Sequence, residues 1–137
     1  MNTNEWWIAI LAKQHICKSE IYKQSQNISL YLSMPTGELN TDDLARQVIV
    51  DGKKVLDWLM KLNLKTVHLI GKKLFIPFIQ PSVMPTMRMV NISTVEELNN
   101  LGRNKWGIPE PSPFQIDKYE DGNYKNYLWN IITLKTI

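Results

Sequence analysis

Cysteine is nearly absent from this 137-residue chain, and Cys17 is the only one. A single cysteine excludes an internal disulfide framework and a cysteine-cluster zinc site. Histidine is almost as scarce, with His15 and His68 alone, so no metal site is expected. Long apolar runs are missing too. The longest are Trp6 to Ala12 and Leu74 to Ile79, the latter broken by Pro77, and a bilayer needs about 20 apolar residues. The start, Met1-Asn2-Thr3-Asn4-Glu5, lacks the basic segment of a signal peptide. The expectation is a cytoplasmic protein without membrane contact. The sequons Asn27-Ile28-Ser29 and Asn91-Ile92-Ser93 are then incidental.

Motifs of catalysis are also lacking. There is no glycine-rich phosphate loop, no His-Glu-x-x-His and no Gly-x-Ser-x-Gly. The carboxylates are scattered, so no acid–base pair can be nominated. His15 and Cys17 are two apart, and on a helix such residues point in different directions. No catalytic residue, no cofactor and no enzyme activity are expected on these grounds.

What is present is an ordinary globular composition, 44% apolar, too high for a disordered chain. The length suits a core that needs no disulfide staples. The formal charge is +3, and it is local. Residues 1–40 balance, as do residues 76–137. Residues 41–75 carry seven basic side chains against four acidic ones, so the whole excess lies there.

Residues 4–16 read as a helix capped by Thr3 or Asn4, with Trp7, Ile10 and Leu11 on one face. Residues 19–33 fit a helix through Ile21, Ile28 and Leu32, and a strand through Ile28, Leu30, Leu32 and Met34. Helix is the reading adopted, ending at Pro35-Thr36-Gly37. Two helices follow, over 41–50 and 52–63, the second capped by Asp51. Two β-prone runs, Val67–Ile70 and Leu74–Ile76, flank Gly71-Lys72-Lys73 as a hairpin. Ser93-Thr94-Val95-Glu96 announces a helix near 94–101 that Gly102 ends. Asp121-Gly122 signals a second hairpin, and a helix over 126–134 is the other option for the tail.

The pattern Leu44-Ala45-x-x-Val48-Ile49-Val50-Asp51-x-x-x-Val55-x-x-Trp58-Leu59 resembles the helix-turn-helix of DNA-binding regulators. Ala45 supplies the small residue where two helices cross. Val48, Val50, Val55, Trp58 and Leu62 supply an apolar inner face. Ile49 stands where the family commonly has glycine. With the hairpin after it, the order over about residues 19–79 resembles a winged helix-turn-helix. That resemblance implies an α+β fold: a winged helix-turn-helix core with a short N-terminal helix and a small C-terminal α/β extension. The expected domains are 1–79 and a Pro-punctuated extension, 80–137.

In that superfamily the second helix enters the major groove and the wing grips the backbone. The resemblance therefore implies DNA contacts at Gly52, Lys53, Lys54, Asp57 and Lys61, at Arg46 and Gln47 on the first helix, and at Lys72 and Lys73 on the wing. Lysines there bind phosphate and carry little base information. The expected function is a transcriptional regulator that binds double-stranded DNA as a homodimer. A second reading is an adaptor or inhibitor that binds a protein through Trp6, Trp7, Leu56, Met60 and the aromatic C-terminal extension.

Overall fold

A computed structural model of the chain describes residues 3–35, 39–62, 72–80, 86–112 and 129–131. Helix α1 spans Thr3–Lys18, where a helix over 4–16 was expected, but its buried side chains are Ala12 and Ile16, and Trp7 and Leu11 of the expected apolar face are exposed. The next helix, α2, is one short turn, Glu20–Gln24. Serines set both its ends. The Ser19 hydroxyl accepts the Tyr22 N–H at 3.2 Å, and the Ser25 hydroxyl donates to the carbonyl of Ile21. Beyond Ser25 the backbone is extended, and Asn27–Ser29 form strand β1. The helix expected over 19–33 is thus overturned. The period-two signal is the one the core uses: Ile28, Leu30 and Leu32 are buried, while Tyr31 is exposed.

A single helix, α3, runs through Asp42–Lys61 without a break. Two helices with a turn at Asp51 were expected, so the chain contains no helix-turn-helix here. Asp51 is occupied elsewhere. Its carboxylate accepts the Tyr22 hydroxyl at 2.5 Å and the Gln47 amide at 2.8 Å, and it caps no helix. The inner face is Leu44, Ala45, Val48 and Ile49, all buried. Val50, Trp58 and Leu62, assigned to that face in the helix-turn-helix reading, are exposed.

Strand β2 spans Lys73–Gln80 and β3 spans Thr86–Ile92. A capped turn of helix, α4 (Val95–Asn99), follows. The Thr94 hydroxyl accepts the Glu97 N–H at 3.1 Å, and the Glu97 carboxylate accepts the Ser93 N–H at 3.0 Å. Thr94 thus caps the helix one residue later than the capping box read from the sequence, and the Glu97 carboxylate reaches back to the residue before the cap. Gly102 does not close that helix. With Arg103 it forms β4, antiparallel to β5 (Pro109–Glu110). The last described element is β6, Trp129–Ile131, where a hairpin strand or a helix was expected.

The main sheet has the order β3-β2-β1-β6. β1 is parallel to both neighbours, with Ile28 opposite Leu74 on one side and Asn130 on the other. β2 and β3 are antiparallel, Leu74 opposite Ile92 and Gln80 opposite Thr86. β2 therefore pairs within a βαβ unit and with β3. The expected partner run, 67–70, and the turn glycine Gly71 lie outside the described residues, as does the Asp121-Gly122 turn. Alternate β2 residues Leu74, Ile76 and Phe78 join Val90, Ile92 and Ile28 in one core with the buried face of α3. The α+β class holds, and its sheet is mixed, with a parallel centre. No helix among the described residues is long and apolar enough to cross a membrane.

Candidate functional site

Strand β2 outlasts β1, and the mismatch makes the cavity. The Leu30 N–H donates to the Phe75 carbonyl at 3.0 Å, so the polar edge of Phe75 faces β1. By the two-residue repeat, Pro77 presents its edge to the same side. Proline has no N–H to offer a continuing partner strand. The chain leaves the sheet beyond Leu30, and a cavity of about 500 Å³ opens in the space. It sits at the carboxyl end of β1, where open sheets with parallel strands place their ligands.

Its floor is β2, with Ile76, Phe78 and Ile79, and Met87 from β3. Tyr31 and Leu32 close one side. The β4–β5 hairpin closes another through Asn104, Trp106, Ile108 and Glu110. The lining is mostly apolar and contains three aromatic rings.

The polar corner is built by the hairpin turn. Gly107 has φ of 79°, a left-handed conformation suited to glycine. A Cβ there would also come within 2.9 Å of the Pro35 ring. The Asn104 side-chain oxygen accepts the N–H groups of Trp106 at 2.9 Å and Ile108 at 3.1 Å. That fixes the amide, and its NH2 group donates to Glu110 at 3.4 Å. Glu110 is the carboxylate among the described cavity residues. A carboxylate has lone-pair sites for further donors, so it can accept N–H groups from a bound molecule.

The residues singled out in the sequence lie elsewhere. Lys72 is not on a wing tip. Its ammonium donates to the carbonyls of Tyr22 at 2.5 Å and Ser25 at 2.7 Å, and sits 4.6 Å from the centre of the Tyr22 ring. It ends helix α2 in the way a cation suits a helix C-terminus. Burial lowers the pKa of this amine, opposed by the charge of Asp51. Burial first, then the hydrogen bond and charge of Asp51, push the Tyr22 phenol far above its usual range. Burial, then Asp51, also raises the Cys17 thiol.

Lys73 opens β2. Arg46 pairs with Asp43 at 3.5 Å and donates to Asn99 at 3.2 Å. Gln47 is held by Asp51. Gly52 is buried against the backbone of Lys72. Lys53, Lys54, Asp57, Met60 and Lys61 are exposed along α3, the helix that also carries Leu56. Trp6 and Trp7 are both exposed and meet edge to face at 5.1 Å. The structure therefore does not gather these residues into one site.

The chain matches the sequence profile of the 5-formyltetrahydrofolate cyclo-ligase family over residues 8–123. It belongs to that family. The match covers most of the chain, including the continuous α3 and the cavity hairpin. No curated protein matches it. The cyclo-ligases are a family of enzymes, ATP-dependent ligases that cyclise 5-formyltetrahydrofolate. Membership overturns the resemblance to winged helix-turn-helix regulators. With it go the transcriptional function, double-stranded DNA as partner, the adaptor alternative and the expectation that the chain is not an enzyme. The folate cyclo-ligase match instead directs attention to folate and ATP as ligands.

Of the cavity residues, Tyr31, Phe78, Asn104 and Glu110 were not nominated as a site in the sequence, and Trp106 entered only as part of the aromatic C-terminal extension. One signal for them was there. Asn104-x-Trp106-Gly107 places a turn-forming amide and an aromatic ring on a glycine turn, and Glu110 stands between two prolines.

Proposed function

We propose that this chain binds 5-formyltetrahydrofolate in the cavity at the carboxyl end of β1 and serves the cyclo-ligase reaction there. The observation that carries the reading is the cavity itself, in a chain of this family. Its volume of about 500 Å³ lies within the roughly 300–1,000 Å³ usual for small-molecule sites. Its aromatic and apolar walls suit the flat reduced pterin and the aminobenzoyl ring. A pterin also carries an amino and an amide N–H on one edge. The Glu110 carboxylate, oriented by Asn104, accepts such N–H groups.

The reaction joins the formyl carbon to a second nitrogen of the same molecule. A carbon–nitrogen bond forms and the carbon–oxygen bond of the formyl group breaks. In an ATP-dependent ligase that oxygen leaves on phosphate. The described cavity residues hold the rings, fix the pterin edge and keep water from the reacting carbon.

The test is calorimetric titration of the chain with 5-formyltetrahydrofolate. Trp106→Ala and Glu110→Gln should each weaken binding about tenfold, the size of a lost aromatic contact or a lost charge-assisted hydrogen bond. Affinity unchanged in both variants refutes the placement.

A further inference from the structure

A second, smaller cleft adjoins the cavity. It measures about 110 Å³ and shares Leu32 and Pro109 with the larger one. Its character is the opposite: polar surface dominates, and Arg46, Arg103, Asp42 and Asn99 line it. Arg46 comes from α3, Arg103 from β4 and Asn99 from the end of α4, so three separate elements converge on it.

The two guanidinium groups are held and not consumed. Arg46 spends one nitrogen on Asn99 at 3.2 Å and another on Asp43 at 3.5 Å. Arg103 donates one nitrogen to the Gly107 carbonyl at 2.7 Å. It makes no ion pair among the described residues. A guanidinium has five N–H donors, so both retain donors for a ligand. Asp42 is the opposing charge in the cleft, and its side chain lies on the α3 wall.

We propose that this cleft is a carboxylate subsite continuous with the folate cavity. It takes the glutamate end of the ligand, with Arg103 as its main partner and Arg46 as the second. The proposal rests on the folate reading above. A molecule that lays its rings against Phe78 and Trp106 passes Leu32 and Pro109 to reach the arginines. The tail of 5-formyltetrahydrofolate carries carboxylates, and planar guanidinium groups suit them.

The experiment compares two ligands by calorimetry on the full chain: 5-formyltetrahydrofolate, and the same molecule with its glutamate carboxylates as methyl esters. The wild type is expected to prefer the free acid about tenfold, and the preference should shrink as salt is raised. In the double variant Arg46→Gln, Arg103→Gln the preference falls towards one while ester affinity is kept. Arg103→Lys, which keeps the charge, retains most of it and separates lost charge from lost folding. Equal affinity for both ligands in the wild type overturns the subsite while leaving the folate cavity standing. Equal loss of both ligands in the double variant also overturns it. If the wild type binds neither, the folate reading fails and the subsite fails with it.

Discussion

Replacing Gly52 by alanine sets two structural accounts of α3 against each other. In an exposed helix interior, glycine to alanine stabilises by about 1 kcal/mol. If the chain broke at Asp51 and offered a second helix to a DNA groove, Gly52 would be the exposed first residue of that helix, where alanine is accommodated without loss. In the structure Gly52 is buried, and a Cβ built there lies 2.2 Å from the carbonyl oxygen of Lys72 and 3.1 Å from its carbonyl carbon. Carbon and oxygen approach no closer than about 3.3 Å even in favourable contacts. The helix must therefore move away from the start of β2 by about 1 Å. The neighbour is backbone, so no rotamer change relieves the overlap. Overpacking of this kind costs about 1–3 kcal/mol, which outweighs the helical gain. The expected result in urea denaturation is a net loss of up to about 2 kcal/mol with the m-value unchanged. The corresponding fall in Tm is about 5 °C. A stabilised Gly52→Ala variant would refute the close packing of α3 on Lys72.

Three further outcomes follow from the same corner and from the cap of α4. Tyr22→Phe removes the hydroxyl from Asp51 and should cost about 1–2 kcal/mol at neutral pH in urea titration. The raised phenol pKa also predicts a pH effect. A group whose folded pKa exceeds its unfolded value contributes stability that is complete below the unfolded pKa, about 10 for tyrosine. Wild-type stability should therefore decline above about pH 10, and Tyr22→Phe should show a shallower decline; parallel profiles count against the buried phenol. Lys72→Met removes the ammonium from the carbonyls that end α2 and should cost about 2 kcal/mol in the same assay, with no measurable change contradicting the cap. Thr94→Ala should cost about 1 kcal/mol, and hydrogen exchange should report faster opening at Glu97 than at Val48.

Local signals in the sequence carried α4, because a capped turn is specified by neighbours three or four residues apart; for α1 they gave the helix but not its buried face, Ala12 and Ile16. The strand at Asn27–Ser29 was visible as alternation of Ile28, Leu30 and Leu32, and competed with an equally good helical spacing. What settles it is Phe75, a distant partner no local pattern names. The unbroken α3 was misread for a physical reason. Gly52 and Asp51 are turn-forming residues in isolation, and tertiary contacts with Lys72 and Tyr22 hold them in a helix. The charge excess misled in the same way. Lys72 looked like a free surface cation and serves as an internal cap. The cavity depends on where β1 stops relative to β2, and register between parallel strands leaves no mark in either segment. Pro77 was the nearest hint.

The position of β1 between β2 and β6 sets a timetable for the chain. Asn27 pairs with Lys73 on one side and with Trp129 on the other. On the ribosome the first partner strand follows β1 only after α3 has been made, and the second follows later still, at Trp129. Until then β1 presents an open edge, with unpaired backbone groups beside apolar side chains, to any other strand nearby. Pairings this distant close slowly. Nascent chains of this protein are therefore exposed to cross-pairing until Trp129–Ile131 has emerged, and pauses between β1 and β6 should lower the yield of folded protein more than equal pauses before β1 is made.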